Sequence, residues 1–141
     1  MTAPTRSARL RRYYRARRRV APRSSPRAFE RLVFEAVDQL PEFVRRRLDN
    51  VAVVVEEWPP GDDPDLLGLY EGVSRTERPG REHGAVPDRI TIFRRPILEE
   101  VDRGDHAALV REVRATVRHE VAHYLGMSDA ELDELEGRAS G

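Results

Sequence analysis

Two histidines and two carboxylates near the C-terminal end have types and spacing suited to holding a metal ion. They belong to a motif HExxHxxGxxD formed by His119, Glu120, His123, Gly126 and Asp129. On a helix, His119 and His123 are four residues apart, so both imidazoles lie on one face, one turn apart. Zinc binds nitrogen at about 2.0 to 2.1 Å, and a catalytic site has three protein ligands and one open position. Two histidines are therefore one ligand short.

Asp129 can supply the third ligand if the chain reverses after the helix. Gly126 is suited to the left-handed conformation that commonly ends helices, and Asp129 would then begin the next helix facing the histidines. Glu120 is rotated about 100° from His119 and about 60° from His123, so it borders the same face without being the natural ligand. We expect one zinc ion per chain, held by His119, His123 and Asp129.

The chemistry of such a site follows from the charge of the metal. Zinc lowers the pKa of its bound water from about 15.7 toward about 7. Glu120 can then act as the general base that takes the proton as water attacks a carbonyl carbon. We therefore expect a zinc-dependent hydrolase, with Glu120 as the catalytic residue. A zinc-binding protein without turnover is the first alternative.

The motif requires a long helix that ends close to residue 125. The pattern predicts a helix over His106–Leu125, with Asp105 as its N-cap. Its apolar face is formed by Leu109, Val113, Val117, Val121 and Tyr124. Ser128 and Glu131 form a capping box that begins a last helix over residues 129–136.

The rest of the chain predicts a small α+β domain. A helix begins at Pro26 with Ser25 as its cap and ends before Pro41. Short helical stretches are predicted over residues 42–49 and 96–103, and strands over residues 51–55, 67–71 and 89–94. We expect three or four strands to pack with the N-terminal helix and the motif helix. An extended substrate would then add to the sheet edge at residues 90–93.

The composition excludes several classes of site. The chain has 141 residues, the size of one domain, and no cysteine, which removes disulfides, thiolate metal sites and cysteine nucleophiles. All 25 basic residues are arginine, which excludes a P-loop lysine and Schiff-base chemistry. The longest apolar run, residues 51–55, is far short of the roughly 20 that cross a bilayer. Because the arginine-rich start lacks the apolar region of a secretory signal, we expect a soluble, cytoplasmic protein with no membrane partner.

A formal net charge of zero hides a strong charge asymmetry. Residues 1–29 contain 10 arginines and no acid, and the remainder carries 15 arginines against 25 acids. Because such a segment repels itself and buries little, we expect residues 1–25 to be a disordered tail before a domain over 26–137, with 138–141 as a C-terminal tail. Weak nucleic-acid contact through residues 1–25, including Tyr13 and Tyr14, is a second alternative function. A solvated extension is the simpler interpretation.

The sequence resembles a small bacterial metallopeptidase family with a minimal zincin-like fold, whose members carry HExxHxxGxxD near the C-terminus. The resemblance includes residues 48–57, 66–72 and 87–95 and spans about residues 29–136. It implies a peptidase that acts on a peptide or protein substrate. It also implies zinc ligands at His119, His123 and Asp129, and a catalytic carboxylate at Glu120. The arginine-rich start departs from the family pattern, since members usually begin close to the first helix.

Other polar and aromatic residues are weaker candidates. His106 lies 13 residues before the motif, about 20 Å along a helix, too far to share an ion. His83 falls in a glycine-containing loop from which it could reach the site as an electrophile, although an exposed loop histidine is simpler. Tyr70 and Tyr124 could stabilise an oxyanion but are more simply packing aromatics. Trp58, followed by two prolines, is most simply a turn anchor.

Overall fold

The structure, a computed structural model, describes residues 25–72 and 88–140. Within them, helices and a three-stranded sheet form the expected α+β arrangement. In chain order the elements are α1 (Pro26–Asp38), α2 (Glu42–Arg45), a short 3-10 helix (Arg46–Leu48), β1 (Val51–Glu56), β2 (Gly68–Glu71), β3 (Asp88–Phe93), α3 (Arg94–Glu100), α4 (His106–Leu125) and α5 (Asp129–Ser140). The expected tail, apart from Ser25, and His83 lie outside the described residues. None of the helices in these ranges combines the length and apolar composition needed to span a bilayer.

The sheet has the strand order β1-β3-β2, which makes β3 its centre. β1 runs parallel to β3 and pairs Val55 with Ile92, whereas β2 runs antiparallel and pairs Gly68 with Ile92. Ile90 and Ile92 are fully buried, as expected for β-branched residues on an inner strand. The prediction that residues 90–93 form a free edge is wrong, because β3 is paired with a strand on both sides.

Helix α1 begins and ends where its sequence signals predict. The Ser25 hydroxyl oxygen accepts a hydrogen bond from the backbone N–H of Ala28 at 3.3 Å, and the helix ends at Asp38, before Pro41. Its residues Phe29 and Val33 are fully buried. They belong to the hydrophobic core that α1 shares with α4, so the N-terminal helix packs against the motif helix.

Helix α4 also has its expected bounds. The Asp105 carboxylate accepts from the backbone N–H of Ala108 at 2.9 Å, and Gly126 ends the helix in the left-handed region with φ 71°. The predicted apolar face is buried at Leu109, Val113, Val117 and Val121, and Tyr124 is half-buried. This face packs in the core. The two motif histidines lie outside it on the last turns of α4, where their side chains are about half exposed.

The predicted end of β3 and start of α3 are wrong. Arg94, expected in a strand, begins α3, which therefore spans Arg94–Glu100 and not residues 96–103. Pro96 then lies in the first helical turn, where its missing N–H forfeits no helical hydrogen bond. Arg94 also pairs with Glu57, which follows β1, at 2.8 Å. This long-range ion pair has no signature in the local sequence pattern.

The last helix is longer than predicted. Helix α5 passes through Gly137 and ends at Ser140, whereas the sequence pattern ends it at residue 136. The i,i+4 ion pair between Arg138 and Glu134, at 2.8 Å, supports this last turn. A glycine inside a helix costs only about 1 kcal/mol, so it does not by itself end one.

Candidate metal centre and catalytic cleft

The last two turns of α4 bring His119 and His123 together. Their ring centroids are 4.4 Å apart and the rings are tilted by 58°. About half of each side chain is exposed, with relative accessibilities of 49% and 53%. The helical spacing therefore produces the predicted pair of accessible imidazoles.

Glu120 lies beside the two histidines but in different surroundings. Only 7% of its side chain is exposed, and one carboxylate oxygen, Oε1, is 3.4 Å from His123 Nδ1. Potential ligand atoms of His119, Glu120 and His123 all lie within 4.8 Å of one another. The buried carboxylate thus points toward the same small region as the imidazoles.

Asp129 reaches this region from the next helix. Gly126 reverses the chain, and the Met127 N–H donates to the Ala122 carbonyl at 2.8 Å across the turn. Asp129, the first residue of α5, then places its carboxylate oxygens 3.0 and 3.2 Å from His119 Nδ1. Its hydrogen bond raises the pKa of His119 above the ordinary 6.5, against the opposing effect of partial burial. Asp129 therefore faces the His119 imidazole, although it does not belong to the group of His119, Glu120 and His123 whose ligand atoms lie within 4.8 Å of one another.

Contacts further along α5 hold this carboxylate in place. Leu132 is 1% exposed and packs in the core, one helical turn beyond Asp129. Arg118 of α4 donates hydrogen bonds to Asp133 and Glu136 of α5. Partial burial lowers the pKa of Arg118, but the hydrogen bonds and charges of the two acids outweigh it and raise the pKa. Two ion pairs thus tie α5 to α4, and Leu132 joins α5 to the core.

A cleft of about 590 Å³ lies over these side chains. One wall is strand β2, which contributes Gly68, Leu69 and Tyr70, and the floor includes the motif residues of α4. One edge of β2 pairs with β3, and its other edge pairs with no strand among the described residues. The same strand lines the cleft at residues 68–70.

The comparison with known families agrees with this geometry. A family model described as Zincin-like metallopeptidase matches residues 48–139, more than half of the chain. The chain belongs to this family. The zincin-like match covers β1, β2, β3 and the two helices that carry the polar motif, and begins later than the residue 29 expected from the sequence. No curated protein matches the chain.

Several weaker candidates have polar contacts or positions away from the motif residues. The Tyr124 hydroxyl donates to the Arg47 carbonyl at 2.9 Å, and the Tyr70 hydroxyl donates to Asp88 at 3.2 Å. Their rings meet edge to face, 5.6 Å apart. His106 begins α4, at the end opposite the motif, and Trp58 packs against the core. The two tyrosines and Trp58 therefore have structural contacts that account for them.

Two residues of the zincin-like site were missed by the sequence reasoning. Gly68 is buried in β2 directly against Glu120, and a glycine inside a strand pattern is a signal of close approach. Arg118 precedes the motif histidine and joins α4 to α5. An arginine among 25 carries no such signal, since its two partners are 15 and 18 residues further along the chain.

Proposed function

We propose that this protein is a zinc-dependent peptidase in which His119, His123 and Asp129 bind the metal and Glu120 is the general base. The observation that supports it most is the convergence of the two imidazoles, the buried Glu120 carboxylate and the Asp129 carboxylate at one cleft. The zincin-like family supports a metallopeptidase activity. The assignment of individual roles comes from the chemistry of the side chains.

The donor set fits zinc. Imidazole nitrogens and a carboxylate oxygen are ligands that zinc accepts, and three of them leave a position open for reaction. When bound, zinc supplies a Lewis acid that polarises a carbonyl group and activates a water molecule near neutral pH. His119, His123 and Asp129 would orient the ion from two helices whose positions are set by the core.

Glu120 is suited to moving a proton at its carboxylate. It is nearly excluded from solvent, whereas a carboxylate that serves as a surface charge would be exposed. From this position it accepts the proton of the attacking water and returns it to the leaving amine nitrogen, as general acid–base catalysis requires. Its burial on the β2 side also keeps the carboxylate beside the cleft.

A second ligand arrangement uses the same residues. Glu120 would bind the metal together with both histidines, since ligand atoms of all three lie within 4.8 Å. Asp129 would then orient His119 through a hydrogen bond to Nδ1, as carboxylates that do not touch the metal commonly do for metal-bound histidines. We favour Asp129 as ligand because a buried Glu120 then remains available for proton transfer.

The cleft favours an extended peptide as substrate. A peptide can add as a strand to an exposed sheet edge, and the edge of β2 lies along the cleft. Acidic side chains also line the cleft, at Asp63, Asp65 and Glu112, and no arginine is among its described lining residues. We therefore expect peptides with basic side chains near the cleaved bond to be the better substrates.

Zinc content and cleavage measured on matched variants test the assignment. Glu120→Gln should keep one zinc per chain and lower kcat by about 10²- to 10⁴-fold, while Asp129→Ala and His123→Ala should lose zinc. Glu35→Gln, an exposed change on α1, is the matched control. The substrates are peptides of equal length with basic, neutral or acidic side chains.

Two results would contradict the proposal in different ways. Loss of zinc in Glu120→Gln with retention in Asp129→Ala would establish the second ligand arrangement. Bound zinc without any cleavage that depends on Glu120 would establish a metal-binding protein without turnover.

A further inference from the structure

Gly68 of β2 lies close to Glu120 of α4. A Cβ atom built at this position would lie 3.0 Å from Glu120 Cγ, 3.0 Å from Thr116 Cγ2 and 3.3 Å from Glu120 Oε2. Carbon atoms in favourable contact are about 3.5 to 4.0 Å apart. The absence of a side chain at residue 68 therefore makes room for the Glu120 side chain.

The backbone conformation does not explain this glycine. Among the described glycines, positive φ angles occur at Gly61, Gly104 and Gly126, and Gly68 is not one of them. Glycine inside a strand loses conformational entropy on folding and gains no side-chain packing. The lack of space between β2 and α4 for a side chain at residue 68 accounts for the glycine.

The neighbours of Gly68 have little freedom to move away. The Thr116 hydroxyl donates to the Glu112 carbonyl at 2.8 Å, and its β-branched side chain has few rotamers on a helix. Glu120 has His123 Nδ1 at 3.4 Å from Oε1, and Val117 and Val121 beside it on α4 are buried in the core. An added methyl group would therefore displace the Glu120 carboxylate toward the histidines or push β2 away from α4.

We propose that Gly68 is a positioning residue for Glu120, whose missing side chain sets where the carboxylate lies beneath the edge strand. This inference rests on the proposed role of Glu120 as general base. A catalytic group tolerates about 0.5 Å of displacement before its geometry fails. Gly68 therefore acts on the proton-transfer step through Glu120, without touching the substrate's reacting atoms.

The test separates this role from a general effect on folding. Gly68→Ala should lower kcat about 10- to 100-fold, with KM changed less than about threefold and zinc content unchanged. Thr116→Ser removes the Cγ2 methyl but keeps the hydroxyl, so Gly68→Ala/Thr116→Ser should recover part of kcat and stay at least about threefold below the unchanged protein. Gly137→Ala, whose Cβ meets nothing within 4 Å, is the control and should match the unchanged protein.

A crystal structure of Gly68→Ala gives a readout that does not need activity. It should show the Glu120 carboxylate displaced relative to His123, with α4 and the histidines in place. An undisplaced carboxylate, or wild-type kcat in Gly68→Ala, would overturn the proposal. If Gly68→Ala fails to fold, the double variant replaces it, and wild-type kcat there overturns the proposal as well.

The unchanged protein and Glu120→Gln are measured beside these variants. Cleavage that depends on Glu120 but not on residue 68 rejects the role of Gly68 alone. Absence of cleavage that depends on Glu120 rejects the proposed function, and the position of the carboxylate in the Gly68→Ala crystal structure still decides the packing claim.

Discussion

The two carboxylates of the site, Glu120 and Asp129, are held in opposite ways. The Glu120 side chain is 7% exposed and is enclosed by β2 and its own helix, whereas that of Asp129 is 60% exposed. Glu120 lies so close to Gly68 that a Cβ atom at residue 68 would be 3.0 Å from its Cγ. Asp129 is held by a helix turn, by its hydrogen bond to His119 and by the contacts of α5.

Because Glu120 is buried and Asp129 is exposed, we expect the two carboxylates to respond to different changes. The buried half depends on volume, because close-packed interiors tolerate little added or removed bulk. The exposed half depends on charge, salt and pH, because its polar contacts are in reach of solvent. The position of the exposed Asp129 nevertheless depends on how α5 is anchored, and we expect the buried Leu132 to anchor this helix in the core.

The largest effect is expected from removing this anchor. Leu132→Ala should lower the free energy of unfolding by about 2 to 5 kcal/mol and weaken zinc binding, because α5 carries Asp129 one turn away. Leu109→Ala, at a similarly buried leucine near the start of α4, is the matched control. It should cost similar stability without changing the zinc affinity of the folded protein. Denaturant unfolding and zinc titration give both quantities, and equal zinc affinities in the two variants would refute the anchoring role.

A smaller effect is expected from the ion pairs of Arg118. Arg118→Met removes both pairs to α5, and a partly exposed pair contributes about 1 kcal/mol or less. Zinc affinity should fall by up to about fivefold at low salt, and the difference should shrink in about 1 M salt, where charges are screened. Arg138→Met breaks an exposed pair within α5 and should leave zinc affinity unchanged. A loss that is the same at every salt concentration would assign the effect of Arg118 to packing.

The smallest effect is expected from the protonation of His119 after zinc is removed by chelation. Because its folded pKa is raised above 6.5, protonation stabilises the fold fully below that value, and the contribution is lost as pH rises through the raised pKa. NMR titration should show the pKa of His119 falling toward its ordinary value in Asp129→Asn. Asp133→Asn, one turn along α5, should have a smaller influence. An unchanged His119 pKa in Asp129→Asn would contradict the observed hydrogen bond.

Local sequence signals predicted the helices that carry the motif. Asp105 and Gly126 bound α4 because their preferences depend on a few neighbouring residues. The four-residue spacing of His119 and His123 specifies a shared face on any α-helix. The nearness of Asp129 could also be inferred, since a glycine-ended helix followed by a capping box allows few chain paths.

The edge of the sheet and the environment of Glu120 could not be inferred in this way. Strand pattern predicted β3 but not its central place, because strand order depends on pairing between distant segments. Arg94, the first residue of α3, likewise pairs with Glu57, 37 residues earlier. Periodicity along one helix located Glu120 near the histidines, but it could not show that β2 brings Gly68 close to this side chain or that the carboxylate is buried. Residue order therefore determined where the motif helix begins and ends and how its polar groups are spaced, whereas long-range packing determined which strand is central and which carboxylate is enclosed.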